Sequence, residues 1–133
     1  MSGVDPPEQE PLRVSILAQR EYLIASIHTA LDDEHFERFQ HDLIDRIGQR
    51  RARGVIIDVA ALDVLDSFGS RTLRDLGQVA RLRGAETVVV GIQPEVAFAM
   101  VKFGINLDSM HTVLDLEEGL ALLDQLCRAG VRP

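Results

Sequence analysis

One cysteine, Cys127, stands in a chain of 133 residues. A lone thiol rules out an internal disulfide framework and offers no partner for a zinc knuckle, so Cys127 is expected to pack as a small apolar residue. Lysine is also scarce, Lys102 being the only one, and acids outnumber bases, so the formal net charge is −7. That balance argues against binding to a phosphate backbone, which wants a basic surface. The local exception, Arg46, Arg50, Arg51 and Arg53, clusters near the end of an expected helix, where cations complement the macrodipole. Long hydrophobic runs are missing. Stretches such as Thr87-Val88-Val89-Val90-Gly91-Ile92 fall far short of the roughly 20 apolar residues a membrane-spanning helix needs. The opening Met1-Ser2-Gly3-Val4-Asp5-Pro6-Pro7 has neither a basic start nor an apolar signal core, which points to a cytoplasmic protein.

What is present, 46% hydrophobic and 26% charged residues, suits a single globular domain able to bury its own core. Residues 1–11 hold three prolines and almost nothing apolar and are expected to form a flexible lead-in. The domain is expected over 12–129, with 130–133 as a C-terminal tail. Leu12, Val14 and Ile16 alternate with polar residues and lead through Gln19-Arg20-Glu21 into Tyr22–His28, the pattern of a β-hairpin. Phe36, Phe39, Leu43, Ile44 and Ile47 recur at helical spacing, so 34–51 is predicted as an amphipathic helix. Val55 to Val59 and Glu86 to Ile92 read as buried strands. A helix from Ser67 to Arg83 is expected to bury Phe68, Leu73, Leu76, Val79 and Leu82, with Gly84 past its end. A short helix opens at Pro94, with Val96, Ala99, Met100 and Phe103 as its apolar stripe. A brief strand at His111–Leu114 and a final helix from Leu116 to Ala129 complete the order β-β-α-β-α-β-α-β-α. Strand-helix-strand units of this length imply a layered α/β domain, mainly parallel, with an N-terminal hairpin.

The segment from Val55-Ile56-Ile57-Asp58 to Leu65-Asp66-Ser67-Phe68-Gly69-Ser70-Arg71 runs from an apolar strand through an acidic loop into a serine at a helix start. A residue there can cap the helix with its hydroxyl or offer it to a partner. Enzyme motifs are incomplete. No Gly-Lys pair makes a P-loop, and no glycine run follows a strand to hold a dinucleotide. Leu65 occupies the place where a hydrolase elbow around Ser67 needs glycine. His28, His35, His41 and His111 are scattered over different elements with no i, i+4 pair to hold a metal. Asp32, Asp33 and Asp58 invite a phospho-aspartate receiver with a divalent cation, but Lys102 lies inside a helix, whereas such a receiver places a lysine after its last strand. No catalytic residue, cofactor or metal is therefore expected.

Those strands and loops, with Val90-Gly91-Ile92-Gln93-Pro94-Glu95-Val96 opening the next helix, resemble the STAS family of sulfate-transporter and anti-sigma-factor-antagonist domains from about Leu12 to Cys127. Asp66-Ser67-Phe68, Gly91 to Ala97 and Gly104-Ile105-Asn106-Leu107 resemble in particular the small scaffold subunits of bacterial stressosomes. The resemblance implies a non-enzymatic protein that sequesters a switch serine/threonine kinase and releases it when phosphorylated on Ser67. It implies STAS co-antagonist paralogues and a cognate phosphatase as further partners, a homo- or hetero-oligomer, and a role in a bacterial stress response. The partner-facing surface is expected at Asp63, Asp66, Ser67, Phe68, Gly69 and Arg71, with Ser70, Thr72 and Thr87 as weaker phosphate acceptors. Val90 stands where co-antagonist paralogues carry a threonine. A simpler anti-sigma-factor antagonist that binds an anti-sigma kinase directly is the alternative. An enzyme or nucleotide-binding protein using the strand-end loops is a third reading.

Overall fold

A two-residue turn, with Arg20 at φ 57°, folds β1 (Val14–Gln19) back on β2 (Tyr22–Ile27), the positive φ that tight hairpins demand. The computed structural model describes residues 12–131; the expected lead-in, 1–11, and the last two residues of the expected C-terminal tail lie outside them. The remaining elements are α1 (Asp33–Arg50), β3 (Gly54–Asp58), α2 (Ser67–Leu82), β4 (Glu86–Val90), α3 (Pro94–Lys102), β5 (His111–Val113) and α4 (Leu116–Val131). The order is the one read from the sequence, and the bounds move by one or two residues. No helix among the described residues is long and apolar enough to cross a membrane.

The five strands lie in the order β1-β2-β3-β4-β5, β1 antiparallel to β2 and the rest parallel. Side chains alternate between the two faces, as strand geometry requires. Leu23, Ala25, Ile27, Val55, Ile57 and Val89 meet Phe36, Phe39, Leu43 and Ile47 of α1, Leu73, Leu76 and Ala80 of α2, and Val96 and Met100 of α3. Tyr22, Ile24, Ile56, Val88 and Val90 face Leu123 and Cys127 of α4. Strands buried on both faces need the near-continuous apolar runs that β3 and β4 show.

Some expected core positions lie outside. Leu82 is 86% exposed and Phe103 46% exposed: at about 3.6 residues per turn Leu82 lies on the side of α2 opposite Leu73 and Ala80, and Phe103 is the capping residue just past the end of α3. Phe68 and Val79 are half-buried. Cys127 is buried, as expected, and its thiol lies 3.6 Å from the Arg53 carbonyl.

The phenol of Tyr22 donates to Asp124 Oδ1 at 2.6 Å and ties β2 to α4. Burial, then the Asp124 bond, push its pKa well above the ordinary phenol value; burial raises the Cys127 thiol as well. A group whose folded pKa is raised contributes stability that is whole below its unfolded pKa and is lost as pH rises towards the folded value. Melting temperature should therefore fall as pH climbs through about 10. Tyr22→Phe should remove Tyr22's share of that slope and lower stability at neutral pH by about 1 kcal/mol. Thermal melts between about pH 8 and 11 check this, and identical slopes for the two proteins would refute it.

Candidate functional site

At the carboxyl end of β3 the chain leaves the sheet with its backbone already engaged. Val59 N–H donates to the Val90 carbonyl at 3.0 Å, Ala60 N–H to Asp58 Oδ1 at 2.9 Å, and Leu62 N–H to the Val59 carbonyl at 3.0 Å. Leu62 and Leu65 anchor the loop in the core, while Asp63, Val64 and Asp66 remain exposed. The neighbouring loop braces it: Gly91 adopts φ +80°, and Gln93 Nε2 donates to the Ala60 carbonyl at 2.7 Å. Gln93 enters the sequence reading only within the segment from Val90 to Val96, with no contact expected of it, although Gly91 at the strand end was the available sign of a tight approach.

The helix cap is Asp66. Its backbone is extended and its Oδ1 accepts the Gly69 N–H at 2.8 Å, while its carbonyl accepts the Ser70 N–H at 2.9 Å. The plain reading of Ser67 as the capping side chain is thus corrected: Ser67 is the first helical residue. A carboxylate cap complements the positive helix end better than a neutral hydroxyl, and it frees the Ser67 hydroxyl. Ser67 is partly exposed. Its backbone N–H and that of Phe68 precede the first intrahelical bonds. Arg71, exposed one turn further on, makes no ion pair among the described residues.

Not every expected surface residue is at the surface. Gly69 is buried, and a Cβ there would lie 2.7 Å from both Leu65 Cδ1 and Phe36 Cε2, so this glycine lets the first turn of α2 sit against α1. Phe68 rests partly on the same core, and its carbonyl accepts the Thr72 hydroxyl at 2.8 Å. The alternative acceptors are all inside: Ser70 is 0% exposed, Thr72 6% and Thr87 1%.

Beside the loop lies a cleft of about 160 Å³ lined by Ala30, Leu31, Phe36, Leu62, Val64, Leu65 and Asp66, smaller than the roughly 300–1,000 Å³ of small-molecule sites. Two of the three acids of the receiver reading, Asp32 and Asp58, are engaged locally. Asp32 caps α1 by accepting the His35 N–H at 2.8 Å, which holds its carboxyl below the usual range, and Asp58 accepts from Ala60. Among the described residues no three His, Cys, Asp or Glu side chains gather as metal ligands. His28 meets Ser15 Oγ at 3.0 Å, His35 meets Asp32 at 2.7 Å and His111 meets Glu86 at 3.4 Å. Arg46 and Arg53 of the basic cluster donate to the Ile16 and Cys127 carbonyls.

The STAS domain model matches residues 13–119. A serine-to-glutamate variant of RsbS from Moorella thermoacetica superposes with a TM-score of 0.79 at 35% identity, over 88% of this chain and 99% of that one. A chain from the molecular architecture of the stressosome, a signal integration and transduction hub, gives 0.71 at 32% identity, over 86% of this chain and 99% of that one. The RsbT co-antagonist protein RsbRA of Bacillus subtilis is 29% identical over 90 residues, 68% of this chain and 33% of RsbRA, so the chain spans about a third of that relative's length.

Proposed function

This chain belongs to the STAS domain family, as an anti-sigma-factor-antagonist protein of the stressosome-scaffold type, and from that premise we propose that Ser67 is a phosphorylation switch controlling its hold on a serine/threonine kinase. The observation that carries the reading is exposure: of the four candidate hydroxyls only Ser67 reaches the surface, whereas Ser70, Thr72 and Thr87 are buried. A phosphoryl group there adds about 1.5 to 2 negative charges. The free N–H groups, the positive end of α2 and Arg71 favour it locally, so the domain stays folded. Asp63 and Asp66, both exposed, deepen the negative potential that a docked kinase then meets. A surface that switches by charge needs no catalytic group, cofactor or metal of its own, and the protein acts by contact.

The partners in this reading are the switch kinase, STAS co-antagonist paralogues that assemble with the chain, and a phosphatase that resets Ser67, all in the cytoplasm. Neither nucleic acid nor membrane takes part. RsbS of Moorella, solved with a serine replaced by glutamate, shows that a relative's fold accepts a carboxylate in place of a serine hydroxyl. Incubation with the cognate kinase and ATP, followed by phosphopeptide mapping, tests the site. The label should fall on Ser67 and be lost in Ser67→Ala; dominant label on Ser70, Thr72 or Thr87 would overturn the assignment.

A further inference from the structure

At the amino end of β3, away from the Ser67 loop, lies a cleft of about 470 Å³ whose lining includes Gly48, Arg51, Arg53 and Arg83, within the roughly 300–1,000 Å³ of small-molecule sites. It forms where two helices stop, α1 at Arg51 and α2 at Arg83. Arg53 is committed: its guanidinium donates to the Cys127 carbonyl at 2.8 Å and lies 3.7 Å from Glu21. Arg51 and Arg83 are exposed, and among the described residues their guanidinium groups make neither a hydrogen bond nor an ion pair.

Two residues of this cleft go against local preference. Arg51 caps α1 at φ 51° and ψ 46°, the left-handed conformation that glycine or asparagine usually takes at a helix end and that strains any residue with a Cβ. Gly48 stands in the last turn of α1, where alanine is the better helix former. Its missing Cβ admits Arg83, because a methyl group there would run into Arg83 Nη2. An arginine where glycine suits the backbone, and a glycine where alanine suits it, have one result in common: both bring guanidinium groups to the same cleft. Local rules broken together in one place are expected at functional sites. Helix ends alone do not account for the charge. Each C-terminus carries about half a negative unit, and the three guanidinium groups exceed both ends even with the Glu21 carboxylate added.

We propose that this cleft binds the diphosphate group of a small soluble molecule, held between Arg51 and Arg83. Each guanidinium presents a planar fork of N–H donors that matches two oxygens of one phosphoryl group, and forks arriving from two separate helix ends suit two linked phosphoryl groups. Arg53, fixed by its own bonds, adds charge without moving. A nucleic-acid strand would run across a surface whose formal net charge is −7, which opposes it, whereas a small anion meets only the cleft. The inference does not rest on the phosphorylation reading. β3 separates the two places, the cleft lying before Gly54 and the Ser67 loop after Asp58.

Calorimetric titration of the full-length chain with inorganic pyrophosphate, at an ionic strength held constant with sodium chloride, should give one site with a dissociation constant below about 1 mM. Arg51→Ala and Arg83→Ala should each weaken it about tenfold or more. Arg38→Ala, which removes the same charge from an exposed pair with Glu34 on α1, should leave it unchanged. Gly48→Ala and Arg51→Gly are the sharper pair. Both install the locally preferred residue, so both should raise the melting temperature while weakening pyrophosphate binding about tenfold. A dissociation constant above about 1 mM, or a loss in Arg38→Ala equal to that in Arg83→Ala, would overturn the proposal. So would unchanged affinity in Gly48→Ala and Arg51→Gly, or a lower melting temperature for Gly48→Ala, which would mean that Arg83 is locked against α1 and closed to a ligand. Phosphorylation of Ser67 is read separately by mapping, so either idea can fail alone.

Discussion

Gly91→Ala is expected to cost about 2–5 kcal/mol of unfolding free energy, the largest loss for adding one methyl anywhere near the site. Two penalties combine. At φ +80° a side chain is strained by its own backbone, about 1–2 kcal/mol. The new Cβ would also lie 2.6 Å from Ala60 Cβ and 3.0 Å from Ala60 Cα, an overlap that only a shift of the serine-bearing loop can relieve, worth about another 1–3 kcal/mol. Gly84 and Gly104 separate the terms. Both have positive φ, 87° and 71°, but open space where a Cβ would stand, so alanine there should cost only the backbone part. Denaturant titration of the three variants measures the difference directly. Ala60→Gly in the Gly91→Ala background should recover part of the overlap and none of the strain. If Gly91→Ala costs no more than Gly84→Ala, the two loops are not braced as described.

That brace also marks what the sequence could and could not reveal. Element order and pairing were legible because the signals were periodic: Phe36, Phe39, Leu43 and Ile47 at helical spacing, and uninterrupted apolar runs in β3 and β4. Ser67 stood out because an apolar strand, an acidic loop and a helix start follow one another. The identity of the cap was not legible, since Asp66 and Ser67 are adjacent and both residue types cap helices well; only the extended backbone of Asp66 decides it. Burial of Gly69 and Ser70 was equally hidden, because it depends on how closely α2 approaches Phe36 of α1, a contact between elements distant in sequence. Gln93 reaching Ala60 across 33 positions belongs to the same class. Periodicity reports which face of an element is buried, whereas loop-to-loop contacts leave no period to read.

In kinase-binding measurements with ATP present, Ser67→Ala is expected to stay bound while the wild-type protein is released, with affinities at least about tenfold apart. Because Asp66 holds the cap, losing the Ser67 hydroxyl removes no helix-end hydrogen bond, and stability should change by only a few tenths of a kcal/mol. Asp66→Ala is the informative contrast. It should cost about 1 kcal/mol through the lost cap yet leave phosphate transfer to Ser67 possible, so stability and switching come apart. Ser67→Asp should bind the kinase weakly even without ATP, though a single carboxylate carries less charge and fewer acceptor oxygens than a phosphate and mimics it in part. Salt supplies the physical test. If release is driven by repulsion between the phosphorylated loop, with Asp63 and Asp66, and an acidic kinase surface, raising ionic strength from about 0.05 to 0.5 M should narrow the gap between phosphorylated and unmodified protein as the charges are screened. A gap that persists unchanged in high salt would mean that the phosphoryl group acts by steric exclusion, and equal affinity for the wild type, Ser67→Ala and Ser67→Asp would remove the charge switch altogether.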